Sequence, residues 1–282
     1  MLVWEAGLVQ RNKQERGDNA MSEFMDRYNW FYKAMINMFK ISENDRYGRN
    51  ALSTIAEEYM KEKKSVTIVD IAAGSGTDLL NVSKKVKQCE KQLFACEAYM
   101  PNIQLLESKG ISTFSINLER EKLPFTDNSV DIVIANQILE HTKELFWIFS
   151  EIGRILKENG IIIIGVPNLA SLHCRLMLLV GKQPTCIETN GPHVRGFTYK
   201  DFKWFIEDEG YFKVYKRIGT GFYSFIPRIS YFLAKIFPNA AINMTIGVRK
   251  TEKAGSFLSV LNNYKYETNY YVGEEQKSSF LS

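Results

Sequence analysis

The chain has 282 residues, of which 45% are hydrophobic, and a formal net charge of +4. This is ordinary globular composition, and the length suits one large α/β domain with additions. The positive charge is spread along the chain without a long basic tract, so nucleic acid is not expected as a partner.

The chain holds 4 cysteines and 3 histidines, scattered and without a CxxC pair. This pattern predicts neither a disulfide framework nor a metal site. We find no secretory signal and no apolar stretch long enough to span a bilayer. These observations predict a cytoplasmic protein with reduced thiols, and they leave the oligomeric state open.

The N-terminal quarter divides into two parts. Residues 1–22 are polar, which predicts a flexible leader. Residues 23–64 carry apolar and aromatic side chains at offsets of three and four, which predicts helices over 23–39 and 49–61.

From residue 65 the pattern changes to short β-branched runs that alternate with helical segments. Such alternation predicts a parallel, doubly wound α/β sheet. The predicted strands are 66–71, 92–97, 113–116, 130–135 and 161–166, and the predicted helices are 78–86, 102–109 and 144–156.

The alternation becomes less regular after Pro167. A helix is predicted over 197–209, with Thr198 as its N-cap, and the last two strands are predicted over 213–217 and 242–248. The resulting domain covers residues 65–250, with helical and aromatic cap elements at 169–196 and 219–239, before a polar tail at 251–282.

The aromatic segment 219–239 has two interpretations. Its side chains are either the core of the cap or an apolar surface that contacts a lipid or a membrane. Arg228 and Lys235 keep the peripheral membrane interpretation open.

A glycine-rich turn follows the first strand of the sheet, at Gly74 and Gly76. Glycines at such a turn let the backbone approach a ligand closely. Glu97 ends the next strand, where a carboxylate can bind both hydroxyls of a ribose. A dinucleotide fingerprint needs glycine where Leu79 stands, and Asp78 would repel a diphosphate at the helix start while tolerating a cation. A nicotinamide oxidoreductase is therefore disfavoured.

Further motifs follow in order along residues 66–168: NLEREKLPF at 117–125, DNSVDIVIAN at 127–136, ILEH at 138–141, EIGRILKENG at 151–160 and VPN at 166–168. With the glycine turn, they resemble the class I S-adenosylmethionine-dependent methyltransferases in their "methyltransferase domain 11" form. The resemblance implies a Rossmann-like, mostly parallel seven-stranded sheet and S-adenosylmethionine as the cofactor.

The resemblance also implies roles for individual residues. Asp70 would organise the loop and help to hold the ligand amine, Glu97 would bind the ribose, and Asn117 and Leu118 would contact the adenine. The full set of implied cofactor-binding residues is Asp70, Ala72, Ala73, Gly74, Ser75, Gly76, Glu97, Ala98, Asn117, Leu118, Asn136 and Gln137. Two departures from the family pattern are Ala72-Ala73 in place of glycine-cysteine and Asn117 in place of aspartate.

Two histidines are candidates for catalysis. His193 lies on a loop beyond the fifth strand, where it could accept a proton from a hydroxyl acceptor. His141 belongs to the ILEH motif, and it either takes part in catalysis or packs at a helix start and supports the ligand loop. His173 is expected to be structural.

The segment after Asn168 resembles bacterial and archaeal relatives associated with surface-glycan pathways. This resemblance implies O-methylation of a sugar or of a lipid-linked glycan. A small metabolite or a quinone-like lipid is an alternative acceptor. A third alternative is a catalytically silent partner protein that binds the cofactor.

Overall fold

The structure, a computed structural model, describes residues 47–222 and 227–273. The predicted leader at 1–22 and the predicted helix at 23–39 lie outside these residues, as does the end of the tail. The division into leader, N-terminal helices, main domain and tail stays a prediction.

The described residues alternate between helices and strands in the predicted order. The helices are α1 (Arg49–Met60), α2 (Thr77–Ser83), α3 (Met100–Ser108), α4 (Leu145–Ile155), α5 (Leu172–Leu179), α6 (Tyr199–Glu207) and α7 (Pro227–Ile236). The strands are β1 (Ser65–Asp70), β2 (Glu90–Glu97), β3 (Ser112–Ser115), β4 (Val130–Asn136), β5 (Leu156–Pro167), β6 (Phe212–Thr220) and β7 (Asn243–Lys250). Short 3₁₀ turns lie at Leu139–His141, Thr185–Ile187, Asp208–Gly210, Pro238–Ala240 and Phe257–Asn263.

The strands form one seven-stranded sheet in the order β3-β2-β1-β4-β5-β7-β6. Only β7 runs against its neighbours, pairing antiparallel with β5 and β6. The predicted fold class, a mostly parallel and doubly wound sheet with flanking helices, is confirmed. Because β1, β2 and β4 are parallel neighbours, the residues that follow them meet at one edge of the sheet.

The middle strands are buried on both faces, as expected for a parallel sheet. Along β5 the four consecutive isoleucines at 161–164 are fully buried. Ile161 and Ile163 pack in the apolar cluster that includes α1 and α2, whereas Ile162 and Ile164 pack in the one that includes α4 and α6. Alternate side chains of one strand thus hold both helical layers to the sheet.

Strand β5 begins earlier than the predicted 161–166. The chain passes through Asn159 at φ +61° and stays in the sheet, with a register shift between Val130 and Ile132 on β4. Gly160 therefore lies inside this longer strand, at its irregularity.

The first part of the predicted polar tail packs on the domain. Phe257, Leu258 and Val260 are buried in the same cluster as α4. The rings of Trp147 and Tyr271 are 4.9 Å apart, edge to face. The segment predicted to be a polar tail therefore contains an apolar anchor, and this anchor covers the outer face of α4.

Candidate cofactor and acceptor site

The loop between β1 and α2 is shaped by its glycines. Gly74 and Gly76 adopt φ of +52° and +77°, which glycine tolerates without a steric penalty. A β-carbon on Gly76 would lie 2.7 Å from Leu106 Cδ2, so the loop also packs tightly on α3. The Ala72 N–H donates to Asp70 Oδ1 at 3.3 Å, which ties the start of the loop to the end of β1.

Glu97, the last residue of β2, links this loop to the start of α3. Its Oε2 accepts hydrogen bonds from Gly74 N–H at 2.8 Å and from Asn102 Nδ2 at 3.3 Å. Its Oε1 accepts from the N–H groups of Ala98 and Tyr99 at 2.9 and 3.0 Å. The predicted ribose-binding carboxylate therefore lies directly against the predicted methionine-binding loop.

Asp78, at the start of α2, has two partners that hold it inward. Arg49 Nε lies 3.2 Å from Asp78 Oδ1, and Asn136 Nδ2 donates to Asp78 Oδ2 at 3.0 Å. Both Arg49 and Asp78 are buried. Asp78 is thus not an open carboxylate, and no sequence pattern indicated the arginine from α1 that pairs with it.

The buried carboxylates beside the loop resist ionisation. Complete burial, followed by the neighbouring Asp78, raises the pKa of Asp70 well above its ordinary value. Burial likewise raises the pKa of Asp78, against the hydrogen bond from Asn136 and the charge of Arg49. A cationic ligand beside these groups would favour their ionised forms.

Two candidate residues, Asn136 and Gln137, follow at the end of β4. A β-carbon on Gly165 would lie 1.9 Å from Asn136 Oδ1, so the position beside Asn136 requires glycine. Gln137 adopts φ +55°, and its Nε2 is buried without a hydrogen-bond partner in the described residues. A strained backbone and an unsatisfied buried donor are typical of functional sites.

The predicted adenine contacts lie just past β3. Asn117 Oδ1, expected to accept from the adenine amino group, accepts from Glu119 N–H at 3.0 Å. The Asn117 N–H donates to Glu121 Oε2 at 2.5 Å, and Ile116 N–H donates to Glu97 O at 3.2 Å. Asn117 and Leu118 therefore lie beside the end of β2, where Glu97 stands. The side-chain carbonyl of Asn117 is already engaged in a local turn.

The two candidate histidines, far apart in sequence, meet in space. The rings of His141 and His193 are 4.6 Å apart, edge to face. Their meeting follows from the hydrogen bond that Val194 N–H donates to Glu140 O at 2.9 Å, which lays the His193 loop over the 3₁₀ turn after β4. Glu140, beside His141, is only 1% exposed.

Burial shifts the pKa of two residues of this cluster, Glu140 and His141. Burial raises the pKa of Glu140 to about 8. Burial and then the neighbouring His193 lower the pKa of His141. Near neutral pH, His141 is therefore held in its neutral form, in which one ring nitrogen keeps a lone pair.

Apolar side chains remain exposed on the cap. On α5, Leu179 is 81% exposed, and on α7, Tyr231 and Phe232 are 75% and 60% exposed. Residues 223–226 of the aromatic segment lie outside the described residues. Within the described part, no helix has the length and apolar character needed to cross a membrane.

The chain matches known proteins over the region that holds this site. Residues 69–164 match the family described as "Methyltransferase domain". This match confirms the resemblance drawn from the motifs over these residues, and that resemblance implies S-adenosylmethionine as the cofactor and methyl transfer as the chemistry.

A curated relative supports the same assignment over a limited span. An uncharacterized methyltransferase of Schizosaccharomyces pombe is 30% identical over 117 residues, which make up 38% of this chain and 41% of that protein. The chain thus spans about two fifths of the relative that it matches.

Solved structures share the fold of the domain. A putative methyltransferase in complex with the Trm112 activator of Haloferax volcanii has a TM-score of 0.52 at 16% identity, covering 74% of this chain and 92% of that one. The [4+2]-cyclase SpnF has a TM-score of 0.51 at 14% identity, covering 72% of this chain and 81% of that one. A S-adenosylmethionine-dependent methyltransferase from Methanosarcina mazei has a TM-score of 0.50 at 16% identity, covering 71% and 98%. At these identities the likeness concerns the fold alone.

Proposed function

We propose that the protein is a S-adenosylmethionine-dependent methyltransferase that methylates a hydroxyl of a sugar or of a lipid-linked glycan. The proposal that the chain binds this cofactor rests on the contact between the Gly74 N–H and the Glu97 carboxylate. Within a matched methyltransferase domain, it joins a positive-φ glycine loop to a strand-end carboxylate, which are the two parts that a ribose-containing ligand requires.

The chemistry of the donor set fits this cofactor. Asp70, Asp78 and Glu97 place three carboxylates around the loop, and Arg49 is paired with one of them, Asp78. Such a site suits a ligand that carries a sulfonium and an ammonium, and it opposes a diphosphate. The small side chain of Ala72 would leave room for the methionine part, whereas Ala73 is buried in the apolar cluster with α1 and α2.

The residues of the chain would bind and orient rather than react. Bound S-adenosylmethionine supplies an electrophilic methyl group, so catalysis depends chiefly on alignment and on excluding water. Glu97 would hold the ribose, Asp70 the amine, and the backbone amide of Leu118 the adenine. Asn136 and Gln137 would border the methyl group, with the buried Gln137 amide available to a ligand oxygen.

The oxygen acceptor is supported by the histidine pair after β4. A hydroxyl must lose its proton as it attacks, and His193 is the proposed acceptor of that proton. His141 is proposed to support it through their ring contact. The exposed apolar faces of α5 and α7 favour a lipid-linked acceptor, delivered at a membrane surface. We also propose a cytoplasmic location.

Substrate profiling tests this proposal. The purified full-length chain would be incubated with methyl-labelled S-adenosylmethionine and a panel of free sugars, lipid-linked glycans, quinone-like lipids and small metabolites. Label in the glycan products supports the proposal, whereas label in the quinones or metabolites shows the alternative acceptor class. Binding without transfer to any acceptor favours the silent partner, or a need for an activator such as the one bound to the Haloferax relative.

A further inference from the structure

Three side chains that can ligate a metal converge after β4. One ligand atom each from Glu140, His141 and His193 lies within 4.8 Å of the other two. The chain contains only 3 histidines, and two of them meet here.

The carboxylate of this cluster is buried without compensation. Glu140 is 1% exposed, and neither Oε1 nor Oε2 has a hydrogen-bond partner among the described residues. Its backbone oxygen, by contrast, accepts from Val194 N–H. A buried carboxylate without partners is costly, and a bound cation would satisfy both of its oxygens.

Backbone carbonyls orient both imidazoles. His193 Nδ1 lies 2.6 Å from Cys186 O, and His141 Nδ1 lies 3.3 Å from Pro192 O. A carbonyl can only accept, so Nδ1 carries the proton in each ring and Nε2 carries the lone pair of the neutral form. This arrangement, with one ring nitrogen donating to a backbone carbonyl, is the usual one for a histidine that ligates a metal.

We propose that Glu140, His141 and His193 form a binding site for a divalent transition-metal ion, with Zn²⁺ as the first candidate. Two imidazole nitrogens and one carboxylate suit zinc and its neighbours in the first row, whereas Mg²⁺ prefers oxygen ligands. The sequence predicted no metal site because His193 is distant in the chain from Glu140 and His141. The fold brings them together by laying the His193 loop over the 3₁₀ turn.

The site does not depend on the proposed function. With a metal bound, Nε2 of His193 would be a ligand and could not also accept the proton of a hydroxyl acceptor, so the ion would take over the activation of that hydroxyl. Three protein ligands leave at least one coordination position for water or a substrate oxygen. If the proposed O-methylation is correct, an acceptor hydroxyl could take that position, close to the end of β4. The ion would then orient the hydroxyl and lower its pKa.

Zinc binding by the full-length chain tests the proposal. The protein would be stripped with a chelator, dialysed, and titrated with Zn²⁺ near neutral pH by calorimetry, with bound zinc measured by elemental analysis. We expect one equivalent of zinc and a raised Tm. Glu140→Gln and His193→Ala should each weaken binding by at least about 10-fold. His173→Ala, which changes the histidine outside the cluster, should bind as the wild type does.

The nearby thiols need their own control. Cys174 Sγ and Cys186 Sγ lie 3.4 Å apart, and thiolates also bind zinc. The double variant Cys174→Ser/Cys186→Ser should keep its zinc. The proposal is overturned if the wild type binds no zinc, if Glu140→Gln and His193→Ala bind it normally, or if binding disappears with the cysteines. S-adenosylmethionine affinity measured on the same samples separates failure of this site from failure of the proposed function.

Discussion

Gly74 donates its backbone N–H to Glu97 Oε2 at 2.8 Å. This bond makes the first loop of the sheet and the end of the neighbouring strand a single unit. Because Gly74 holds φ +52°, the loop presents its backbone rather than a side chain to the space above the sheet. The geometry of cofactor binding should therefore depend on these two residues together.

Removing the Glu97 carboxylate should weaken cofactor binding without unfolding the protein. We expect Glu97→Ala to reduce the affinity for S-adenosylmethionine and for its demethylated product by about 1.5–3 kcal/mol, the worth of a charge-assisted hydrogen bond. Calorimetric titration measures both. Glu107→Ala, which removes an exposed carboxylate from α3, is the matched control, and equal losses in the two variants would remove Glu97 from the site.

Substitutions of the two loop glycines should have different main effects, one on cofactor binding and the other on stability. Gly74→Val is expected to abolish cofactor binding, because its branched side chain would fill the space of the methionine part, and to cost some stability as well, because Gly74 holds φ +52°. Gly76→Ala is expected to lower the free energy of unfolding by about 1–3 kcal/mol, since its β-carbon would meet Leu106 and Ile111. Urea unfolding and cofactor titration of both variants separate the effects. Normal cofactor binding by Gly74→Val would show that this loop does not border the methionine part.

The buried carboxylates predict a pH dependence of stability. Burial and Asp78 raise the pKa of Asp70 in the folded protein above the roughly 3.9 of an unfolded chain. Between these values the folded protein keeps a proton that the unfolded chain has released. The stability contributed by Asp70 is therefore present at low pH and lost as the pH rises.

Thermal unfolding from about pH 5 to about pH 8 measures this effect. Asp70→Asn should reduce the pH dependence, because the amide does not titrate. A cationic ligand favours the ionised carboxylates, so S-adenosylmethionine should raise Tm more at the higher pH. If the rise in Tm caused by S-adenosylmethionine became smaller as the pH rises, the proposal that these carboxylates lie beside the cationic ligand would be contradicted.

The histidine pair predicts a separation of binding from turnover. If the acceptor is a hydroxyl, His193→Ala should lower the turnover rate by roughly 10²–10⁴-fold with cofactor affinity nearly unchanged. His141→Ala should instead perturb stability or cofactor binding, because it packs at the 3₁₀ turn after β4. Near-normal turnover of His193→Ala on its true substrate would shift the proposal toward a nitrogen or carbon acceptor, or toward catalysis by alignment alone.

The strands could be predicted because their signal is local. Residues 161–164 are consecutive isoleucines, which predict a strand buried on both faces, and the structure buries all four. The anchoring of Phe257 on α4 could not be predicted in the same way. This anchoring depends on a contact between distant segments. The residues around Phe257 are polar, so the composition of the segment does not indicate a buried anchor.

The same distinction applies to the site. The glycine turn and Glu97 follow β1 and β2 directly, so the parallel topology places them together. The ion pair of Arg49 with Asp78 joins a helix that precedes the sheet to one inside it. The contact of His141 with His193 depends on the path of the loop after α5. Neither pair has a spacing that a periodic pattern could reveal.

The most direct test of the central claim is a titration of the full-length protein with S-adenosylmethionine and, in parallel, with NAD. We predict a dissociation constant of micromolar order for S-adenosylmethionine, or roughly −8 kcal/mol, and no saturable binding of NAD, which carries a diphosphate. The absence of S-adenosylmethionine binding, or tighter binding of NAD, would contradict the account.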